Sequence, residues 1–497
     1  MRRQFHRSIS TETILTVTAI GVVVFLAVAA RFYHLGAYHT HWDEGVHAYY
    51  TWQFADAGEF TYEAWRHGPL LYYLTAPFVA AGAETVLAGR AVVATLSLGM
   101  FAALYLLRDE LPASILWFAV IVLAVHPYVL TTARFFRNDA VVATACLLLV
   151  GFCVQYRRSP SWPLAAAIGA TLGIALATKE TVYLLVPAIV LPVVVIAHFE
   201  ARYTDRSAKA TLDAYVPLRY LPGTLAAFIV VVLVFYSGWP PQPFRAFPSL
   251  VDGITYWLEK GADGDPDLTY YASRLLEGTP VLSGLAALGA VGTIVRPRSA
   301  WLRWVFLSWA TFALLLFSLI ADQSWWVLVV IFTPTVVLAG CGFHDGLLFA
   351  RRIAGRVGPT VPLNDSQIAQ SVLGVTGPML AALLVIATVT AGIGPAREVA
   401  GLTQPATPDH QRTAFDLARS SAIETGCVVD VGPDAHEWPG RWWLRGIDVN
   451  EVDEISDIQN QSVVIDTGSL DGLNRSTYTT TEYRNWTVYT PVTSCDA

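Results

Sequence analysis

Three short segments hold the side chains that could do chemistry. HTHWDEGVHAYYTW, residues 39–52, gathers three histidines, four aromatic residues and the adjacent pair Asp43–Glu44. TTARFFRNDA, residues 131–140, carries Arg134, Arg137 and Asp139, and GIALATKETVYLL, residues 173–185, carries Lys179 and Glu180. A carboxylate can take the proton of an attacking hydroxyl. Arginine and lysine can hold a phosphate, the first as a planar fork and the second as a point charge. These residue types together suit a substrate with an anionic phosphate, a lipid tail and a hydroxyl that reacts. Taken singly, each charge could also mark a membrane interface, its stem in lipid and its head in water. Lys179 suits that reading least, because ATKETVY joins two apolar stretches with almost no loop.

The elements that must position these segments follow from composition. The chain is 54% hydrophobic and only 14% charged over 497 residues, against roughly 25% charged in soluble domains. Apolar stretches near 14–30, 84–107, 113–132, 140–156, 161–178, 181–199, 221–238, 279–295, 301–320, 325–349 and 373–393 make about eleven transmembrane helices. Lipid leaves the backbone no other way to satisfy its hydrogen bonds. A cleaved signal peptide is the rival reading of the first run. HGPLLYYLTAPFVAAGA, residues 67–83, is broken by Pro69 and Pro77 and reads as an interfacial or re-entrant piece.

Basic residues in the short connections set the orientation. With the N-terminus in the cytoplasm, Arg2, Arg3, Arg7, Arg108, Arg157, Arg158 and the segments RPRSAWLR and RRIAGR all fall inside. The loop 31–83, the RFFRND and Lys179–Glu180 turns, the 239–278 loop and the C-terminal region fall outside. The expected architecture is therefore a mainly α, polytopic helical membrane domain over residues 1–393, followed by a small extracytoplasmic α/β domain over 394–497. In that tail TPDHQRTAFDLARSSAIE has helical spacing, and CVVDV, SVVIDTG and NWTVYT read as strands.

Residues 394–497 hold 16 acidic and 7 basic side chains, and only Lys179, Lys209 and Lys260 are lysines in the whole chain. An acidic, lysine-poor exposed domain stays hydrated in concentrated salt, so a halophile is expected; a GC-rich genome that favours arginine is the alternative. Of five cysteines, Cys146, Cys153 and Cys341 lie in apolar spans, while Cys427 and Cys495 share the tail and could pair. The sequons at Asn460, Asn474 and Asn485 fall outside and the one at Asn364 inside. His39, His41, His47 and His67 read as ordinary interfacial histidines; a divalent metal held with Asp43, Glu44 or Glu63 stays open, though no ligand spacing singles it out. No cofactor and no nucleic-acid partner are otherwise expected.

WDEGVHAYYTW, RHGPLLYYLTAPFVAAGAETVLAGRAVVATLSLG, ARFFRNDAVVATACLLL and GATLGIALATKETVYLLVP, in this order, resemble the GT-C superfamily of polyprenyl-phosphate-dependent glycosyltransferases, in particular the protein O-mannosyltransferases and aminoarabinose transferases. The resemblance covers roughly residues 10–200. It implies that Asp43 is the catalytic base with Glu44 beside it, that Arg134 and Asp139 take the places of the family's ARxxxxD turn, and that Lys179 contacts the lipid phosphate. Arg137 and Glu180 join the substrate-binding set by position. More narrowly, HWDEGVHAYY, RFFRNDA and WPGRWWLRG resemble a haloarchaeal flippase-associated family of the N-glycosylation pathway. Two readings follow: sugar transfer from a polyprenyl phosphate at the outer face, or assisted translocation of the same dolichol-linked sugar without bond chemistry. Membrane lipid and other pathway proteins are the implied partners. A secondary transporter fits worst, since no paired halves with matching broken helices are visible.

Overall fold

The computed structural model describes residues 11–36, 40–203, 212–213, 217–262, 265–295, 301–320, 323–357, 409–431, 440–452, 458, 462–466, 478–483 and 486–491. They fall into two compact units. The first takes in residues up to 33, 61–71 and 91–400, and the second 34–60, 72–90 and 401–497.

The helices met first along the chain are α1 Thr11–Phe32, α2 Trp42–Ala57, α3 Leu70–Ala80, α4 Thr85–Ser97, α5 Gly99–Leu106, α6 Ala113–Val125, α7 Pro127–Ala133, α8 Asp139–Arg158, α9 Trp162–Thr178 and α10 Val182–Tyr203. Further apolar helices of the first unit are Leu221–Tyr236, Pro280–Val295, Trp301–Ser318 and Leu328–Val357. Among the described residues, Thr85–Leu106, Asp139–Arg158, Trp301–Ser318 and Trp325–Ala350 are long and apolar enough to cross a membrane, and two bent pairs raise the number to as many as six. The span expected at 373–393 lies outside the described residues.

Three expectations change. The 113–132 stretch is two helices bent by 58°. Pro127 has no N–H and forces His126 into extended backbone (φ −65°, ψ 128°). The carbonyl that Pro127 leaves without a donor, Leu123 O, is taken instead by Arg31 Nη2 at 3.0 Å, and Ala124 O by Arg31 Nη1 at 3.2 Å. Arg31 is thus fully buried at the end of α1, also donating to Ser97 Oγ at 3.0 Å, and is not a loop residue. The broken 67–83 piece contains the 11-residue helix α3, which starts after Pro69 and keeps Pro77 inside it. The 239–278 loop is largely helical, with Ala246–Ala262 and Tyr270–Gly278.

Small residues let helices of the first unit approach closely. A Cβ on Gly169 of α9 would run into the Thr224 carbonyl of the helix Leu221–Tyr236, and Gly289 and Gly342 bring Pro280–Val295 and Leu328–Val357 together in the same way. The helix α8 joins two polar ends about 30 Å apart. At its last turn Arg157 lies 3.5 Å from Glu110, Arg158 lies 3.7 Å from Asp109, and Trp301 Nε1 donates to Glu110 at 3.1 Å. The connections that the basic residues sort to one side therefore meet at one end of this helix, and Asp139 stands at the other.

The second unit contains the described part of the tail, a five-stranded sheet of order β2-β1-β3-β5-β4, with β1 Val429–Val431, β2 Val449–Glu451, β3 Val463–Asp466, β4 Tyr478–Tyr483 and β5 Trp486–Pro491. β2, β1 and β3 are parallel, and β3, β5 and β4 antiparallel. The helix Asp409–Thr425 packs on it through Ala414, Phe415, Ala418 and Ala422, all buried. On the face away from Val429 and Val431, the buried Asp430 carboxylate accepts from Asn450 Nδ2 at 3.1 Å and from Ser462 Oγ. Cys427 is disulfide-bonded; Cys495 lies outside the described residues. In WPGRWWLRG, Trp442, Trp443 and Leu444 are buried, Arg445 sits over the Trp442 ring at 3.7 Å, and Gly446 turns at φ 76°.

Candidate active site

In the first unit the chemistry-bearing turn is built by the ends of α8, α9 and α10. The last carbonyls of a helix have no partner within it. Here Asn138, just before α8, donates its side-chain amide to the carbonyl of Thr178, the last residue of α9. Lys179 follows in extended backbone, and Val182 already begins α10, so neither Lys179 nor Glu180 has loop enough to reach water. Lys179 Nζ meets Asp139 Oδ1 at 2.8 Å, with both side chains buried. Asp139 is the first residue of α8, where the helix dipole favours a negative charge.

Glu180 is fully buried. Its Oε1 accepts from Tyr62 Oη at 2.6 Å and lies 3.1 Å from Tyr236 Oη, which also reaches the Leu176 carbonyl at 2.8 Å. Burial raises the Glu180 carboxyl to about 7, against the opposing pull of the two hydroxyls and of Lys179. The two arginines take different surroundings. Arg134 Nη2 donates to Tyr33 O at 2.6 Å, and the Arg137 guanidinium lies over the Trp326 ring at 4.8 Å. The structure thus joins Asp139 to Lys179, and sets Glu180 among tyrosines.

Asp43 and Glu44 belong to the second unit, in the first turn of α2. His41 caps that helix: its Nδ1 accepts from Asp43 N at 3.1 Å, while Glu44 Oε2 accepts from His41 N at 3.1 Å. Glu44 also takes a bidentate grip from Arg90, with Nε at 2.8 Å and Nη2 at 2.6 Å, and Arg90 Nη1 donates to Leu35 O at 3.1 Å. Both Glu44 oxygens are therefore committed to holding the start of α2. Asp43 Oδ2 stands 3.5 Å from His41 Nδ1. That nitrogen is already an acceptor, so the contact is not an ion pair in this tautomer. Of the two adjacent acids, Asp43 is the one with a carboxylate not used up by Arg90.

Among the described residues no three His, Cys, Asp or Glu side chains gather as a metal site. His47 packs against the Tyr72 ring at 5.4 Å, His67 stacks on Trp257 at 4.0 Å, and Glu63 pairs with Arg66 at 2.7 Å. His39 lies outside the described residues.

Comparison with known proteins adds to this geometry. A family model described as dolichyl-phosphate-mannose-protein mannosyltransferase matches residues 66–236. No curated protein matches the chain. ArnT from Cupriavidus metallidurans bound to undecaprenyl phosphate has 14% identity and a TM-score of 0.62, covering 96% of this chain and 98% of that one. Its apo state gives 14% identity and a TM-score of 0.64, over 97% and 98%. The archaeal oligosaccharyltransferase AglB from Archaeoglobus fulgidus, in complex with an inhibitory peptide and a dolichol-phosphate, has 13% identity and a TM-score of 0.53 over 88% of this chain and 64% of that one. The chain has the GT-C fold. The segment matched by the family model contains Arg134, Arg137, Asp139, Lys179 and Glu180, and starts after Asp43 and Glu44.

Four residues of this chain escape sequence reading. Arg90 had a signal: it is a lone cation inside an apolar stretch, LAGRAVV, and such a residue calls for a partner. Arg31 looked like the first residue of a loop. Tyr62 and Tyr236 lie 118 and 56 positions from Glu180 and carry no mark that would join them to it.

Proposed function

We propose that the chain is a GT-C-type glycosyltransferase that takes a sugar from a polyprenyl (dolichol) phosphate at the extracytoplasmic face and passes it to a hydroxyl- or amide-bearing acceptor. The observation that carries this is the Lys179–Asp139 pair at 2.8 Å, buried where three helices end. Desolvating an ammonium is costly, and a lysine kept in such a place is fit to exchange its carboxylate partner for an anionic headgroup. Lys179 holds the lipid phosphate, with Arg134 and Arg137 adding positive field. Asp139 pairs with Lys179 and orients it while no phosphate is bound. Asp43 is the general base that takes the acceptor's proton as the anomeric carbon leaves the phosphate oxygen, and Glu44, locked by Arg90, fixes the turn from which Asp43 projects. The N-terminus is cytoplasmic and the tail domain outside.

The second reading is translocation of the same lipid-linked sugar without transfer. It needs only the phosphate grip of Lys179 and no proton acceptor at Asp43, which lies outside the segment that the family model matches, residues 66–236. Both readings are tested with the purified chain in liposomes holding a dolichyl-phosphate hexose. Release of free dolichyl phosphate with sugar on an acceptor supports transfer; movement of the lipid between leaflets with its sugar retained supports translocation. Neither, with a folded protein, sinks both.

A further inference from the structure

Glu180 has an environment that phosphate binding does not explain. Its Oε1 serves Tyr62 and Tyr236, whose rings meet edge to face at 5.0 Å, and its Oε2 is buried with no hydrogen-bond partner among the described residues. Gly253, in the helix Ala246–Ala262, leaves the space into which the Tyr62 hydroxyl fits, and a Cβ there would come within 2.9 Å of Glu180 Cγ. The segment around Tyr62 is fastened at further points. Trp257 Nε1 donates to Ala64 O at 2.9 Å, His67 stacks on Trp257, and Gly68 lies against the Ala177 carbonyl, where any side chain would collide. Residues 61–71 therefore form a strap across the end of α9, and Glu180 is the knot that ties it to the turn carrying Lys179.

The charge count matters as much as the geometry. Lys179 and Asp139 neutralise each other. A second carboxylate beside Lys179 would make the turn net negative and repel a phosphate; an uncharged carboxyl would not. Of the other ionisable groups on the elements that surround it, Glu63 and Arg66 pair with one another on the strap, His67 stacks on Trp257, and Asp252 adjoins Gly253. Tyr62 donates its hydroxyl proton to Glu180, Tyr236 shares its one proton between Glu180 and the Leu176 carbonyl, and Lys179 is the cation that acts on Glu180. Burial without a cation of its own accounts for the carboxyl lying near 7.

We infer that Glu180 is a positioning residue: buried and hydrogen-bonded to Tyr62 and Tyr236, it ties the 61–71 strap to the Lys179 turn and sets the charge that the lipid phosphate meets there. The inference rests on the lipid-phosphate role proposed for Lys179. It predicts a pH effect that belongs to Glu180. Dolichyl phosphate binding to the full chain in detergent is measured at about pH 6 and about pH 8 for the wild type, Glu180→Gln, Glu180→Ala and Tyr62→Phe. The headgroup has its own second ionisation near pH 6, common to all four proteins, so the ratio between variants is the readout. Glu180→Gln keeps the uncharged shape. Its affinity should match the wild type at about pH 6 and exceed it by roughly threefold to tenfold at about pH 8. Glu180→Ala and Tyr62→Phe should bind more weakly at both pH values, and hydrogen exchange in residues 61–71 should quicken in these two but not in Glu180→Gln. A Glu180→Gln protein that follows the wild-type pH profile, or a Glu180→Ala strap as protected as the wild type, overturns the inference. A wild type that binds no dolichyl phosphate at either pH overturns the lipid reading instead, and the exchange measurement then judges the knot by itself.

Discussion

Two acidic residues, each next to a residue given a chemical role, end up in opposite states. Glu44 is buried and meets the Arg90 guanidinium through both oxygens, at 2.8 and 2.6 Å. Glu180 is buried as deeply and meets two phenol hydroxyls through one oxygen. A bidentate arginine supports a full negative charge in a dry site, because the pair is neutral and its hydrogen bonds are charge-assisted. Hydroxyls lower the cost of a carboxylate but cannot cancel it, so desolvation wins and the carboxyl titrates near 7. Burial alone says nothing about the charge of an acid; the chemistry of what it faces decides.

The largest effect expected from this contrast falls on Asp43, which Glu44 serves. Asp43→Asn keeps the shape and the helix cap and removes the proton acceptor. Sugar transfer should fall on the order of 10²–10⁴-fold while dolichyl phosphate still binds. Full transfer by that variant would return Asp43 to a structural part. Next in size is Glu44→Gln. The amide offers one acceptor and one donor where three N–H donors converge, leaving Arg90 buried and underpaired. Unfolding in detergent should become easier by about 3–5 kcal/mol, and a variant as stable as the wild type would mean that the Arg90 grip is not what holds α2.

Much of this was legible in the chain before any coordinates. Among the described residues the helix-forming stretches other than 113–132, the tail's helix and its strands at 429–431, 463–466 and 486–491 stand where periodicity put them. The sorting of basic connections anticipates that Glu110, Arg157, Arg158 and Trp301 meet at one end of the first unit. What was hidden are pairings between distant positions. Arg31 looks like a loop residue until Pro127 is seen to strip a donor from Leu123 O. Glu44 looks like a second catalytic acid until Arg90, 46 residues on, closes over it. Hydropathy locates a span but carries nothing about which polar atom answers which, and a bend at a proline changes the partners without changing the pattern.

Lys179 separates a phosphate grip from a structural ion pair. Lys179→Ala should abolish function, but it also leaves Asp139 buried without its cation. Adding Asp139→Asn removes that stray charge, so folding should return in the double variant and lipid binding should not. Lys179→Arg keeps the charge and lengthens the reach; lipid affinity should drop roughly tenfold, about 1.4 kcal/mol. Recovery of binding in the double variant would make the lysine a structural partner of Asp139 and nothing more.

The smallest effect is the one that tests the contrast most directly, because it repeats the Glu44 substitution at the other site. In Glu180→Gln the amide oxygen can take the place of Oε1 and keep both tyrosine hydroxyls, and the amide nitrogen replaces an Oε2 that has no partner among the described residues. At about pH 5 the wild-type carboxyl is already uncharged in the folded protein, so the two proteins should unfold within about 1 kcal/mol of each other. The pH dependence then follows from the raised carboxyl. Between its ordinary value of 4.5 and about 7, the unfolded chain has lost this proton and the folded chain has kept it. Folding therefore takes up a proton, and the wild type loses stability as the pH rises through that window. Glutamine has no proton to give, so Glu180→Gln should stay level and become the more stable protein above about pH 7. Thermal unfolding of both at about pH 5 and about pH 8 measures this. Curves that keep the same separation at the two pH values would place a full charge on Glu180 throughout, and Glu180 would then resemble Glu44 after all.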